Sequence, residues 1–194
     1  MLYRVRDLSC ALLMAIFLFP LIAIISAVLL FFYGRPVFYR ERRIGLYGRL
    51  FTLYKFRTLH SALGRSKAAD NLEGRILKNG TPENCRGGFF KFLRKYSLDE
   101  LPQLWNVLAG DMSIVGPRPM PANELLYRFG SDASRVISVR PGLTGLWQIN
   151  GRNDLSFEER RRLDLCYVEK RNALLDCRII LKTFSAVLSG RGAY

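Results

Sequence analysis

An adjacent pair of carboxylic acids stands in basic surroundings in the middle of the chain. Asp99 and Glu100 follow Arg94 at a short distance. A carboxylate among cations can act as a nucleophile toward phosphorus, and a neighbouring carboxylate can hold Mg²⁺. A structural role is the alternative, because Ser97 and Glu100 match a capping box that would start a helix near Leu98. The sequence leaves both roles open.

Several cations lie where proline, glycine or a hairpin end restricts the backbone. Arg118 stands between two prolines, and Arg140 and Arg152 flank a glycine-rich turn. Lys55 and Arg57 close a predicted hairpin. Guanidinium groups held in this way favour bidentate binding of phosphate oxygens. We therefore predict a phosphate-binding site, with a solvated face or contact with lipid head groups as the alternative for each cation.

Other common catalytic signatures are missing from the sequence. It has no phosphate-binding glycine loop, no Asp-x-Asp triplet and no nucleophile elbow, and its single histidine, His60, makes the usual zinc sites improbable. The four cysteines show no C-x-x-C spacing, which predicts reduced thiols in a cytoplasmic setting. A disulfide between Cys166 and Cys177 is the alternative.

Charge and composition narrow the class of protein. The chain has 194 residues with a net charge of +14, and 49% of its residues are hydrophobic, which excludes global disorder. This length suits one domain, or one domain with an anchor. A pI of about 10.1 with a mean hydropathy of +0.06 implies anionic partners and apolar residues concentrated in one segment.

That apolar segment covers residues 8–33 and carries no charge. A signal peptide and a straight transmembrane helix are two interpretations of it. Pro20 argues for a third, because a break there leaves two halves of about 18 Å each, too short for a bilayer core of about 30 Å. Arginines flank the segment on both sides, which favours placing both ends in the cytoplasm. We predict a helix–break–helix that enters and leaves through one leaflet.

The rest of the chain predicts a small mixed domain. Residues 37–44 and 49–58 form a hairpin, and residues 61–88 are mostly loop. Helices are expected over residues 122–129, from a second capping box at Ser156 to about Lys170, and over residues 176–188. The last of these helices is amphipathic and basic, so it suits either a membrane interface or burial against the domain.

Four stretches of the sequence, in this order, resemble the bacterial sugar transferases, the monotopic polyprenyl-phosphate phosphoglycosyl transferases. They are YKFRT (54–58), SLDELPQLWNVLAGDMSIVGPRP (97–119), RPGLTGLWQINGR (140–152) and RLDLCYVE (162–169). The resemblance extends over essentially the whole chain. Leu59 and Cys166 depart from the family pattern, where methionine and an aromatic residue are usual, and neither touches the proposed chemistry.

The resemblance implies an α+β, mainly α protein with a re-entrant membrane anchor (1–34) and a catalytic domain (35–194) on the cytoplasmic face of the bacterial inner membrane. It implies that Asp99 attacks a UDP-sugar, that UMP leaves, and that a polyprenyl phosphate then takes the sugar-1-phosphate. Glu100 is implied as the Mg²⁺ ligand. The implied substrate and phosphate contacts are Lys55, Arg57, Arg94, Arg118, Arg140, Arg152 and Asp164, with a structural salt bridge as the alternative for Asp164.

A basic, membrane-anchored binding or scaffold protein without enzymatic activity is the rival interpretation. It explains the charge and the anchor but gives the acidic pair no role. We expect membrane lipids as partners and no nucleic acid, and a homodimer is plausible. Residues 61–88 are the segment in which we expect sugar choice to be shaped, while the sugar itself cannot be read from the sequence.

Overall fold

The computed structural model describes residues 2–58, 88–190 and 192 of the chain, and helices dominate this part. The helices are α1 (Leu2–Tyr33), α2 (Gly88–Lys95), α3 (Gln103–Ala109), α4 (Ala122–Phe129), α5 (Ala133–Val136), α6 (Leu146–Ile149), α7 (Phe157–Lys170) and α8 (Ala173–Ser189). The strands are β1 (Phe38–Ile44), β2 (Leu50–Phe56), β3 (Ser113–Val115) and β4 (Gly142–Thr144). The predicted mainly helical α+β class is confirmed, and residues 61–87 of the predicted loop lie outside the described residues.

The apolar segment forms one continuous helix, α1, with Pro20 inside it. Pro20 cannot donate a hydrogen bond to the carbonyl of Ile16, yet the helix does not break there. Leu18 and Leu21, on either side of the proline, pack against the two core clusters of the domain. Both halves of the helix therefore contact the same surface. The structure therefore shows a single helix where Pro20 predicted two halves. By length and composition alone, α1 could cross a membrane.

One face of α1 contacts the remainder of the chain from end to end. Ala11 belongs to a core cluster with buried residues of β2 and α3, and Ile25 and Leu29 belong to a second cluster with Phe56 and buried residues of α2. These α1 positions are spaced as one helical face requires. The opposite face exposes large apolar side chains: Leu12, Leu13, Ile16, Phe17, Phe19, Ile24, Phe31 and Phe32. The anchor helix thus shares its core with the domain while presenting an apolar outer surface.

The predicted hairpin is confirmed. β1 and β2 pair antiparallel, with Phe38 opposite Phe56 and Ile44 opposite Leu50. Because side chains alternate along a strand, Lys55 lies on the same face of β2 as the buried residue Leu53. The pairing therefore directs Lys55 toward the inside of the domain.

A second pair of strands was not predicted from the sequence. β3 and β4 are parallel, with Ser113 opposite Gly142 and Val115 opposite Thr144. The chain beyond β3 approaches β4 so closely that a Cβ at Gly142 would lie 2.0 Å from the backbone nitrogen of Gly116. Only glycine permits this approach. It brings the segment that contains Arg118 against the glycine-rich turn.

Three predicted helices are confirmed. α4 covers residues 122–129 as expected, and the Ser156 capping box starts α7, with Ser156 and Glu159 each bonding to the backbone of the other. α8 begins at Ala173, three residues earlier than predicted, because the side chain of Asn172 accepts a hydrogen bond from the backbone N–H of Leu175 at 2.8 Å. Cys10, Cys166 and Cys177 are free thiols, so the alternative of a Cys166–Cys177 disulfide is wrong.

A buried polar network fastens the start of α1 to the domain. Arg6 donates hydrogen bonds to Asp7 and to Asp176 of α8, and the hydroxyl of Ser113 donates to Asp7. The Tyr167 hydroxyl lies 2.8 Å from the Asp176 carboxylate. Asp176 is fully buried and Asp7 almost so. Buried carboxylates are tolerated only with such partners, so each member of the network depends on the others.

Replacing Asp176 tests this network. Asp176→Ala leaves the Arg6 guanidinium and the Tyr167 hydroxyl without their shared acceptor, so we expect the free energy of unfolding to fall by about 3 kcal/mol or more. Chemical unfolding in detergent micelles measures this loss. The control is Glu169→Ala, which removes an exposed ion pair with Arg135 and should change stability far less. Equal losses in the two variants would contradict the role of the network.

Candidate active site

The acidic pair lies on a tight turn between α2 and α3. Leu98–Glu100 forms a single 3₁₀ turn, and Ser97 has a left-handed backbone with φ of 54° and makes no side-chain cap. An N-cap residue needs extended backbone angles, so the capping box predicted here is wrong. The next α-helix starts only at Gln103. The side chain of Ser97 instead accepts a hydrogen bond from Arg152.

Lys55 binds the second acid of the pair. Its Nζ atom lies 2.6 Å from Oε1 of Glu100, and both side chains are largely but not fully buried. Lys55 reaches this position because it is on the inward face of β2. It lies opposite Tyr39, one residue pair from the open end of the hairpin. The ion pair therefore joins the hairpin to the acidic turn.

The two neighbouring carboxyl groups are tuned in opposite directions. Burial raises the pKa of Glu100, but the combined charges of Lys55, Arg118 and Arg152 outweigh burial and hold this pKa below its usual value. For Asp99, burial and the negative charge of Glu100 raise the pKa to about 6, although Lys55 and Arg94 oppose the rise. Glu100 is thus a firmly ionised group, whereas Asp99 is the more basic carboxylate of the pair.

Four of the predicted cations surround this pair. Lys55 comes from β2, Arg94 from the last turn of α2, Arg118 from the segment between the prolines and Arg152 from the glycine-rich turn. All four act electrostatically on Asp99 or Glu100. The four come from separate parts of the sequence, and the fold brings them together around the acidic turn.

Two other predicted cations lie elsewhere and bind backbone carbonyl groups. Arg57 donates to the carbonyl oxygens of Tyr33 at 2.6 Å and Gly34 at 3.1 Å, where the end of α1 leaves acceptors without helical partners. Arg140 donates through Nε to the carbonyl of Gly110 at 2.9 Å and lines a separate cavity of about 380 Å³ beside the hairpin turn. Neither residue contacts the acidic pair in the described part of the chain, and their role in phosphate binding stays a prediction.

Asp164 of α7 lies behind the Arg118 segment. Its side chain is buried, and burial raises its pKa to about 7, although the backbone N–H of Arg118 donates to it and the charges of Arg118 and Arg128 oppose the rise. Between Pro117 and Pro119, Arg118 has the one backbone N–H that the segment can donate. Asp164 makes no ion pair in the described part of the chain, although the charges of Arg118 and Arg128 act on it. The orienting role and the structural salt bridge both stay predictions.

Four neighbouring polar residues were missed from the sequence. Arg43 and Gln148 line a small cavity next to Lys55 and Glu100, and Arg43 also donates to the carbonyl of Pro119 at 3.1 Å. Arg128 and Arg160 lie near Arg118. Arg43 could have been found from the two-residue period of β1, because it faces buried Phe51 across the hairpin. Arg128 and Arg160 stand within helices, with no proline or glycine to mark them.

The acidic pair is the place where a divalent cation would bind. No cluster of three or more His, Cys, Asp or Glu side chains occurs in the described residues. Mg²⁺ is commonly held by one or two carboxylates together with phosphate oxygens of a substrate, and Glu100 supplies such a carboxylate. The lowered pKa of Glu100 also keeps it ionised, as a metal ligand must be. The residues present therefore fit Mg²⁺ that binds together with a phosphate substrate.

Comparison with known proteins gives consistent matches. The family model described as bacterial sugar transferase matches residues 1–190. The exopolysaccharide production protein ExoY of Sinorhizobium fredii is 41% identical over 198 residues, which cover 98% of this chain and 87% of that protein. The uncharacterized sugar transferase EpsL of Bacillus subtilis is 39% identical, over 97% of this chain and 88% of that protein. The undecaprenyl-phosphate galactose phosphotransferase of Salmonella typhimurium is 39% identical over 83% of this chain, but the match spans only 35% of that longer protein.

The burial of Asp164 predicts a pH dependence of stability. Its pKa is about 7 in the folded chain and about 3.9 when unfolded, so its stabilising contribution is complete below pH 4 and is lost as the pH rises through 7. Asp164→Asn keeps the shape but does not titrate. Chemical unfolding at pH 5 and pH 8 should therefore show the variant gaining stability relative to the native chain as the pH rises.

The matched control for this measurement is Asp132→Asn. The Asp132 carboxylate lies partly exposed at the surface, and hydrogen bonds from Arg135 and Arg161 lower its pKa. It stays ionised at both pH values, so its substitution should shift stability equally at pH 5 and pH 8. A parallel response of the two variants would show that Asp164 is not the titrating group.

Proposed function

This chain belongs to the bacterial sugar transferase family, and we propose that it transfers a sugar-1-phosphate from a UDP-sugar to a polyprenyl phosphate, with release of UMP. A galactose phosphotransferase and a glucose-1-phosphate transferase among its relatives make it a sugar-phosphate transferase, and the names of both include undecaprenyl phosphate, which supports this lipid as the carrier. The observation that carries the proposal is the turn with Asp99 and Glu100, held inside a ring of cations. A scaffold protein without activity would need no such site.

The reaction would proceed in two displacements at one phosphorus atom. In the first, an oxygen of Asp99 bonds to the phosphorus that carries the sugar, and the bond from this phosphorus to the bridging oxygen breaks, so that UMP leaves with that oxygen. In the second, a phosphate oxygen of the lipid attacks the same phosphorus and restores the Asp99 carboxylate. With a pKa of about 6, Asp99 is mostly ionised at pH 7 and therefore able to attack.

The surrounding residues would stabilise the charge that develops. Arg94 acts on Asp99, Arg118 and Arg152 act on Glu100, and Lys55 acts on both. Preformed positive groups in a partly buried site stabilise phosphoryl transfer without rearranging. Mg²⁺ held by Glu100 would neutralise phosphate charge when bound. The hydrogen bond from Lys55 keeps the Glu100 side chain in place for that role.

The contacts of α1 support a location within one leaflet. Near its start, Arg4 donates to the carbonyl oxygens of Val107 at 2.6 Å and Leu108 at 2.9 Å, and at its end Arg57 donates to the carbonyl of Tyr33. A helix of 32 residues is about 48 Å long, enough to reach across a bilayer core of about 30 Å. Because both ends bind the same domain, they belong on the same side of the membrane. We therefore propose a monotopic anchor with the domain on the cytoplasmic face of the inner membrane.

A second helix supports the same placement. α8 exposes Leu174, Leu181, Phe184 and Leu188, and Arg178 and Lys182 lie beside them in the sequence. An apolar face with basic flanks suits the boundary between head groups and acyl chains. The lipid acceptor carries its phosphate at this boundary. The anchor and α8 would therefore hold the acidic turn near the plane in which the acceptor phosphate lies, and a homodimer in that plane stays a prediction.

Asp99→Asn tests the covalent mechanism. Asparagine keeps the size of the side chain but has no anionic oxygen to attack phosphorus, so turnover should fall by several orders of magnitude while the protein remains folded. With UDP-sugar but no lipid, the native enzyme should release one UMP per active site and carry the phosphosugar mass on the peptide that contains Asp99.

The control for Asp99→Asn is Asp132→Asn, a surface variant that should keep the native UMP burst. Chelation of Mg²⁺ with EDTA should suppress the burst and added Mg²⁺ should restore it. Phosphosugar on a different peptide, or UMP release only in the presence of lipid phosphate, would contradict the mechanism assigned to Asp99.

Cysteine labelling tests the membrane placement. In a cysteine-free background, single cysteines at Leu2 and at Ser189 should both react with a membrane-impermeant thiol reagent in inverted inner-membrane vesicles and not in intact cells. The reason is that both ends of α1 bind the domain that includes α8. Labelling at position 2 in intact cells would mean that α1 spans the membrane.

A further inference from the structure

Three arginines from different elements converge on two aromatic rings beside the acidic turn. The guanidinium carbons of Arg118 and Arg160 lie 5.1 Å and 5.4 Å from the centre of the Trp147 ring. The guanidinium of Arg128 lies 4.3 Å from the centre of the Phe157 ring, which Arg160 also contacts at 5.7 Å. We call Arg118, Arg128 and Arg160 the arginine cluster. Its members come from the 117–119 segment, α4 and α7.

The positive charge of this cluster exceeds the negative charge around it. Arg128 forms an ion pair with Glu124 at 2.6 Å. Among the described residues, Arg160 donates to the neutral carbonyl groups of Leu155 at 3.1 Å and Asn153 at 3.0 Å, and the charge of Asp154 also acts on it. Among the residues that the structure describes, no side chain or carbonyl accepts a hydrogen bond from the Arg118 guanidinium. Glu124 is thus the carboxylate that forms a direct ion pair with the cluster within the described part of the chain, while the charges of Asp154 and Asp164 act on it as well.

Burial makes this excess of charge costly. The side chain of Arg128 is only 14% exposed, and Arg118 and Arg160 are also partly buried. Burial, together with the charges of the other two arginines, lowers the pKa of Arg160, and burial and Arg118 lower that of Arg128. Nearby Asp164 offsets only part of the charge, because burial raises its pKa to about 7. Crowded guanidinium groups with few acceptors are the arrangement that a phosphate stabilises best.

The cluster adjoins the acidic turn through Arg118. This residue acts on Glu100 on one side and on Arg128 and Arg160 on the other. Arg160 also holds the turn Arg152–Asp154 through its two carbonyl contacts, so Arg152 faces the acidic turn from a fixed backbone. A diphosphate with one phosphorus at Asp99 would therefore extend its second phosphate toward the cluster.

We infer that Arg118, Arg128 and Arg160 form a binding site for a phosphate monoester dianion, separate from the position at which phosphorus meets Asp99. The inference rests on the proposed function, which supplies two such dianions. One is UMP, whose phosphate gains a negative charge as it leaves, and the other is the lipid phosphate that attacks next. The cluster would hold the phosphate that is not bonded to the sugar.

Tryptophan fluorescence can measure binding at this site directly. The chain has two tryptophans, Trp105 and Trp147, so Trp105→Phe leaves the ring on which Arg118 and Arg160 stack as the single reporter. Titration of this protein in detergent micelles with UMP should change the emission, while uridine, which lacks the phosphate, should bind at least 10-fold more weakly. An equal response to UMP and uridine would overturn the assignment.

Variants of the cluster residues and of a neighbouring arginine supply the matched comparison. Arg160→Gln and Arg128→Gln should each weaken UMP binding at least 10-fold, and Arg160→Lys should recover much of it because it keeps the charge. The control is Arg161→Gln, since Arg161 is adjacent on α7 but pairs with Asp132 and Glu158 at the surface. Thermal unfolding verifies that each variant is folded. Native UMP affinity in both cluster variants would overturn the inference.

A second arm distinguishes the source of the phosphate. A short-chain prenyl phosphate in the same micelles should lose affinity in Arg160→Gln if the cluster receives the acceptor, and keep it if the cluster serves UMP alone. Loss of UMP affinity in Arg160→Gln supports the phosphate site, and a parallel loss of prenyl phosphate affinity shows that the acceptor binds there as well. These titrations need no turnover. Failure of the native enzyme to release UMP from a UDP-sugar would therefore count against the proposed function and not against the cluster.

Discussion

Two buried carboxylates, Asp7 and Asp176, constrain how the rest of the molecule assembles, because both need hydrogen-bond donors. Arg6, Ser113 and Tyr167 supply these donors from three different elements. The free-energy cost of an unpaired buried charge far exceeds the stabilisation from any single surface contact. These elements therefore assemble together. The start of the anchor helix, β3, α7 and α8 are thereby fixed relative to one another.

The acidic turn inherits its geometry from that assembly. β3 leads directly into the segment with Arg118, and α7 supplies both Asp164 and Arg160, one beneath that segment and the other beside the Trp147 ring. The hairpin adds Lys55 from the opposite side, and Arg43 secures the carbonyl of Pro119. The site thus rests on helices and strands, although the acids and two of the cations stand on turns. Rigid support of this kind is what phosphoryl transfer requires, because catalysis there depends chiefly on position and charge.

Local signals predicted most of the fold, and long-range contacts decided where prediction failed. The motif Ser-x-x-Glu occurs twice. At Ser156 it forms a capping box. At Ser97 it does not, because the Ser97 hydroxyl accepts a hydrogen bond from Arg152 and the Glu100 carboxylate accepts one from Lys55. The hairpin and α4 were predictable from alternation and turn residues. The parallel pairing of β3 with β4 joins segments too far apart for any local pattern to reveal. Four of six predicted cations reach the acidic turn, whereas the carbonyl groups that Arg57 and Arg140 bind could not be foreseen, since such acceptors exist only once the backbone has folded.

The long sequence separation between Arg6 and its partner Asp176 determines the order of events during biosynthesis. Arg6 and Asp176 are 170 positions apart. The ribosome therefore completes the anchor long before α8 exists, and the apolar helix meets the bilayer while its charged end still lacks α8. Contacts of such separation close late, after local helices and hairpins have formed. Insertion comes first and docking second, so α8, which is made long after α1, locks α1 into place.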